Sequence, residues 1–389
     1  MKKFAALAIL SIVALAGAHA VIIYGTGDPA ANTTAPTGSL ADSGWQYEGQ
    51  FGAFVGTVIA PRFFVSAKHV GNQGQFIFNG TNYTIVKQYN DPASDLSIYE
   101  IDASQSFPIF APLFTTQTEV GKLAVAIGTG TQRGGEIFVD NVLRGWFCGP
   151  GDGVRRWGQN VISDTVFIRD VGSTAVQEAL YAEFNQNGSP DECHLSGGDS
   201  GGAIFIEEEG VWKLAGINYA VDGPYYTDSS GNGEFVAALF DARGFYVPSG
   251  SSYTQITSTN PVPSGFYATR ISAKLAWIYS VIDPLSDYDG DGVTNLGEYG
   301  HGLDPLTADA AGAFDVGREG TFLTLTYRRV FRATDISYVV ETSEDLLTWA
   351  PADVEEESID DDDIVEVVKA KIEIGTATAL FARLRLARP

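Results

Sequence analysis

The chain has 389 residues, a formal net charge of −24, 44% hydrophobic residues and 12% aromatic residues. That much apolar material excludes a chain disordered throughout and suffices for two or three packed domains. A surface this acidic repels phosphate backbones and anionic lipid, which sets nucleic acid aside as a partner.

Residues 1–20, MKKFAALAILSIVALAGAHA, combine a positive start at Lys2 and Lys3, a short apolar run and a small-residue cleavage pattern at Ala18-His19-Ala20. They read as a signal peptide, so the protein is expected to be exported, secreted or periplasmic. Cuts after Ala16 or Ala18 also fit the pattern, and an uncleaved anchor is the alternative. No other segment is apolar for long enough to span a bilayer, so no membrane span is expected after signal removal.

From 21 to 283 the sequence is dense in short apolar runs such as FVGTVIA, FFVSA, LAVAIG and WKLAGINYAV, broken by Gly, Pro, Asn and Asp. With 44 glycines and few helix-period runs, this is an all-β body. Near its end, ISAKLAWIYSVI places Ile271, Leu275, Ile278, Tyr279 and Ile282 at helical spacing, predicting one amphipathic helix that closes the domain. The two cysteines of an exported chain, Cys148 and Cys193, can form one disulfide.

A linker follows at 284–312, containing DYDGDGVTNLGE. Asp287, Asp289, Asp291, the backbone of Val293, Asn295 and Glu298 fall at positions 1, 3, 5, 7, 9 and 12 of a calcium loop, with Gly292 at the turn. Hard oxygen ligands at that spacing suit Ca2+, and the segment resembles an EF-hand-like or thrombospondin-type loop with a structural ion; an acidic turn is the alternative. Residues 313–389 return to strand-like alternation and form a small β domain, resembling modules at the ends of exported bacterial proteins that serve adhesion, substrate binding or protection of the chain end. A surface or a partner is its expected ligand. The run EEESIDDDD at 355–363 is expected to be a solvated loop.

Within the β body, HLSGGDSGGAIF sets Ser200 between two glycine pairs with Asp199 before it. A serine hydroxyl becomes a nucleophile only when a base takes its proton, so the segment demands a histidine and a carboxylate. Beyond the signal segment the histidines are His69, His194 and His301. His301 lies past the closing helix, and His194, close before the serine in sequence, is better placed to line a pocket. His69, at the end of VSAKHV, is the candidate base, and Asp95, heading the apolar run in PASDLSIYEI, is the candidate carboxylate.

VSAKHV, SDLSIYEI, GGDSGGAIF and YATRISAKLAWIYSVI, in that order, resemble the histidine, aspartate, serine and terminal-helix segments of the trypsin/chymotrypsin-like serine peptidases. The resemblance covers 21–283. It implies a mainly β fold of two perpendicular six-stranded barrels with a closing helix, to which the small C-terminal β-sandwich-like domain is added. It implies protein or peptide substrates and no catalytic cofactor, with Ser200 as nucleophile, His69 as base and then acid, and Asp95 orienting the ring. The N–H groups of Gly198 and Ser200 are then the oxyanion donors. His194 stands at the position that sets pocket charge, and Tyr219, Ala220 and Val221 match the strand that holds the substrate backbone. Phe54 and Val70 replace the family's usual pair of cysteines around the histidine.

The resemblance also implies that Asp199 is buried and paired with a new apolar N-terminus. No Lys or Arg lies between Lys3 and Arg62, and VIIYG resembles the family's inserted terminus, so removal of the signal peptide is expected to free Val21 to pair with Asp199. An internal partner for Asp199 is the alternative. Two rival functions stand beside the peptidase. GGDSGG also contains the G-x-S-x-G of α/β-hydrolase esterases, but His69 precedes the serine and AIFIEEEGVWKLAGI reads as a hairpin. The other rival is an inactive binding or adhesion protein on the peptidase fold.

Overall fold

The computed structural model describes residues 21–169, 176–376 and 379–389. Residues 1–20, read above as a signal peptide, lie outside them. By contacts the chain divides into two compact units, one comprising residues up to 90 together with 94–273, the other 91–93 with 274–389.

The first unit contains two closed antiparallel barrels of six strands each. Around the first run Glu48–Phe51, Phe54–Ala60, Phe63–Ala67, Leu96–Ile101, Thr81–Asn90 and Gln75–Phe78. Its strands turn aromatic side chains inward. Phe64 stacks on Phe76 at 3.9 Å and on Tyr99 at 4.9 Å, while Phe51 meets Tyr99 edge-on at 4.8 Å. All four are fully buried. Each such side chain removed from water contributes about 2–3 kcal/mol, which sets the strand register firmly.

The second barrel runs Arg156–Arg169, Val176–Glu183, Gly265–Arg270, Val211–Val221, Ala203–Glu208 and Leu123–Gly128. Its core is aliphatic: Ala124, Ala126, Ile162, Leu180, Ile204 and Ile206 pack with Phe266 and with Val21. Small residues such as Ala215 and Ala268 let the strands of a narrow barrel approach. Beside it, Ile22–Ile23 pairs with Cys193–His194, Ile22 opposite His194 and Ile23 opposite Cys193. Val21, Ile22 and Ile23 are all buried.

The expected disulfide is not present. Cys148 and Cys193 are both free thiols. Cys193 is locked in the strand opposite Ile23, whereas Cys148 ends the Val142–Cys148 strand opposite Arg133. Pairing in different sheets holds the two apart. Burial pushes the Cys148 thiol up to about 11 and Cys193 higher than its ordinary value, so both stay protonated and inert at neutral pH.

In the second unit, helix α1 (Leu275–Ile282) buries Leu275, Trp277, Ile278 and Val281. The sequence reading ends the first domain with this helix; its contacts place it in the second unit, where the Arg388 guanidinium donates to the Ser280 carbonyl at 2.6 Å and Trp277 donates to Asp335 at 3.2 Å. Helix α2 (Asn295–His301) is capped by Thr294, whose hydroxyl accepts from the Gly297 N–H, and ends at Gly302 in the left-handed region.

A four-stranded and a three-stranded sheet follow. Leu325, Tyr327, Val368 and Ile372 of one pack with Val340 and Leu384 of the other, a small sandwich-like core. The acidic run departs from the loop expectation: Glu355–Asp361 is an edge strand paired with Val365–Glu373, and every residue in it is exposed. Like charges along an open sheet edge keep it soluble, and lysines on the neighbouring strand balance part of the charge, as Lys371 does for Glu357 at 3.3 Å.

Candidate active site

His69 lies in a short turn, Lys68–Val70, directly after the Phe63–Ala67 strand, and Asp95 immediately precedes the Leu96–Ile101 strand. Those strands are neighbours with Ala67 opposite Leu96, so the pairing that closes the first barrel brings the two residues together. The Lys68 N–H donates to the Asp95 carbonyl at 3.0 Å. The Asp95 carboxylate accepts the His69 N–H at 2.9 Å through Oδ1 and faces His69 Nδ1 at 2.6 Å through Oδ2. A carboxylate facing Nδ1 fixes the proton there and leaves Nε2 as an acceptor. Nε2 lies 2.7 Å from Ser200 Oγ.

Ser200 arrives from the second barrel on a tight turn. The Gly201 N–H donates to the Asn218 carbonyl at 3.1 Å, and the Gly202 N–H to the Asp199 carbonyl at 3.1 Å. A Cβ at Gly202 would overlap the Ile127 carbonyl, and one at Gly201 would overlap the Ser66 hydroxyl. Gly198 has φ +96°, a conformation strained for any side chain. Its carbonyl accepts from the Thr129 hydroxyl at 3.2 Å. Among the described residues the Gly198 and Ser200 N–H groups donate to no backbone carbonyl.

Asp199 is buried beneath this turn. It accepts from Gly130 N–H at 2.6 Å, Ser196 N–H at 2.8 Å and the Ser196 hydroxyl at 3.1 Å, and the Val21 backbone N–H also hydrogen-bonds it. Burial pushes its carboxyl up to about 7, against the lowering effects of the Ser196 bonds, Arg156 and the Val21 N–H. Gly128 and Gly130 leave room for the carboxylate, since a Cβ on either would overlap it.

The proposed pocket residues separate. Tyr219 stays with the triad, its ring edge-on to His69 at 6.1 Å. Val221 packs against the second-barrel core. His194 is buried between Phe184 and Phe266, with Nδ1 2.6 Å from the Leu195 carbonyl and Nε2 3.1 Å from Ser264 Oγ. Both ring nitrogens are occupied and burial lowers its pKa, so it is a neutral core imidazole. His301 is buried likewise, Nδ1 at 2.8 Å from the Arg328 carbonyl.

Two supporting residues were absent from the sequence reading. Buried Asn218 donates from Nδ2 to the Ile127 carbonyl at 2.9 Å and to the Asp199 carbonyl at 3.1 Å, tying the serine turn to the barrel. Gln177 accepts the Asp95 N–H at 3.1 Å. An amide inside a strand-like apolar run is the only local hint of either.

In the second unit, Asp287, Asp289 and Asp291 bring carboxylate oxygens within 4.8 Å of one another, and so do Asp291, Glu298 and Asp309. Asp287 accepts the N–H groups of Gly290 at 2.8 Å and Gly292 at 3.0 Å. Asn295 Nδ2 donates to the Asp283 carbonyl at 2.8 Å. Burial and then the charges of Asp289, Asp291, Asp309 and Asp287 push the Glu298 carboxyl up to about 8.

No protein-family profile and no curated protein matches the sequence. Among solved structures the chain is similar to the crystal structure of the Rv3671c protease from M. tuberculosis in its active form, at 15% identity and a TM-score of 0.34, over 59% of this chain and 73% of that one. The two closed barrels, one carrying His69 and Asp95 and the other Ser200, are what define the architecture. The fold is chymotrypsin-like. No helix among the described residues is long and apolar enough to cross a membrane.

Proposed function

We propose that the protein is an exported serine endopeptidase acting on proteins or peptides. The observation that carries this reading is the unbroken contact from Asp95 through His69 to Ser200, 2.6 Å and 2.7 Å long. Ser200 Oγ attacks the substrate carbonyl while its proton passes to His69 Nε2, and Asp95 stabilises the imidazolium that results. The negative oxygen is met by the Gly198 and Ser200 N–H groups, each such donor lowering the barrier by about 3–4 kcal/mol. The imidazolium then gives its proton to the leaving amine, an acyl-enzyme remains, and water activated by His69 releases the acid and restores Ser200.

A labelled fluorophosphonate tests the reading. It is expected to label the folded chain at Ser200, with labelling lost in Ser200→Ala and in His69→Ala. A folded wild-type chain that takes up no label would instead favour the binding or adhesion protein on the same fold.

Export and activation are joined in this reading. Removal of residues 1–20 makes the Val21 nitrogen an ammonium beside Asp199, in the position where its N–H already bonds the carboxylate. The buried charge gains its counter-ion, and Asp199 holds the turn with Gly198 aimed at the oxyanion. N-terminal sequencing of the exported protein is expected to begin at Val21; a start several residues away removes the pairing.

A further inference from the structure

The acidic segment before and after α2 contains more uncompensated charge than one ion can answer. Five carboxylates form two groups that overlap at Asp291: Asp287, Asp289 and Asp291, then Asp291, Glu298 and Asp309. Four buried oxygens among them, Asp289 Oδ2, Asp309 Oδ1 and both Oε atoms of Glu298, have no hydrogen-bond partner. Glu298 is 1% exposed, so water does not replace the missing partners. A buried carboxylate left without donors costs several kcal/mol, and such a cost persists where a cation is to be bound.

We infer that this segment binds two Ca2+ ions side by side, one held by Asp287, Asp289 and Asp291 and the other by Asp291, Glu298 and Asp309, with Asp291 common to both. The loop spacing alone points to a single ion with Glu298 as its last ligand. The structure adds Asp309, whose backbone N–H donates to Asp291 Oδ2 at 3.0 Å, next to that of Ala310 at 2.7 Å. These bonds fold the 304–310 turn back onto the loop and bring the fifth carboxylate to the cluster. Charge favours a pair: one dication leaves three negative charges in a partly buried site, and two leave one. The carbonyl of Val293, at the position that supplies a backbone ligand, joins the first sphere. Carboxylate oxygens without nitrogen or sulfur donors suit hard cations such as Ca2+, and flexible loop ligands favour it over Mg2+.

Native mass spectrometry of the full chain, stripped with chelator and then supplied with CaCl2, reads the stoichiometry directly. Two ions are expected on the wild type and one on Asp309→Asn, a near-isosteric change. Glu298→Gln is expected to weaken calcium binding by about tenfold or more, read by calorimetry. One ion on both wild type and Asp309→Asn would overturn the pair and leave a single-ion loop. No ion on the wild type would overturn the site altogether. None of these readouts depends on peptidase activity.

Discussion

The serine turn and the acidic loop both gather buried carboxylates, and they answer the charge in opposite ways. Beneath the serine turn, Asp199 is surrounded by N–H groups from Gly130, Ser196 and Val21 and by a hydroxyl, and Asp95 is matched to His69. In the acidic loop Glu298 is equally buried, has no donor at either oxygen, and is surrounded by other acids. Backbone N–H groups can solvate one carboxylate within a tight turn, because glycines let the chain wrap it. In the acidic loop such N–H groups reach Asp287, Asp289 and Asp291 but neither oxygen of Glu298. The first site therefore carries its counterparts within the chain, whereas the second, on the inference above, takes them from solution.

The largest expected effect concerns the self-contained site. Ser200→Ala and His69→Ala should each lower kcat about 10⁴- to 10⁶-fold, and the double variant should lose no more than either single one, because the residues act as a unit. Labelling of Ser200 should persist in chelator at temperatures where the chain stays folded. Labelling that vanishes with calcium would break the contrast between the two regions.

A smaller effect separates chain forms by pH. With Val21 still joined to a preceding residue, Asp199 has a raised pKa of about 7. A carboxylate whose folded pKa lies above its unfolded value withdraws stability as pH rises from about 4 to 7, and the loss is complete above the folded value. Asp199→Asn should then stabilise the extended form above pH 7 by up to about 4 kcal/mol, with little gain at pH 4. In a chain beginning at Val21 the ammonium reverses the sign, and the same substitution should destabilise at neutral pH. Thermal unfolding of both forms between pH 4 and 8 measures this; equal behaviour would show that the Val21 ammonium does not reach Asp199.

Much of the first site was legible because its parts sit at strand ends. VSAKHV ends a strand and Asp95 begins one, so adjacency in the barrel is enough to join them, and Ser200 announces itself by the glycines a tight turn demands. What could not be read were residues whose role depends on folding at a distance: Asn218, Gln177, and Gly128 with Gly130 around the Asp199 carboxylate. His194 misled for the same reason, since sequence proximity to Ser200 says nothing of Phe184 and Phe266, which enclose it. Cys148 and Cys193 looked like a natural pair by number alone, and strand pairing put them in different sheets. At the acidic loop the spacing announced four of the five carboxylates on which the calcium inference rests, while Asp309, beyond α2, needed the turn that returns it.

Gln177 offers the smallest and sharpest of these tests, because it joins the barrels at the triad. It lies on the Val176–Glu183 strand of the second barrel and accepts the Asp95 N–H from the first, and Thr269 Oγ1 donates to the same oxygen at 3.3 Å. Replacement by leucine leaves a buried N–H unsatisfied, a cost of about 1–3 kcal/mol, and frees the Asp95 backbone to shift against His69. Gln177→Leu is therefore expected to lower kcat about tenfold with KM nearly unchanged, since the change acts on the positioning of the base rather than on substrate contacts. Gln177→Glu keeps an acceptor oxygen and adds a negative charge near the His69–Asp95 pair. A protonated His69 gains by that charge, so the acid limb of the kcat/KM profile should move to higher pH. A residue that merely fills space would lower the melting temperature in both variants and leave the pH profile where it was.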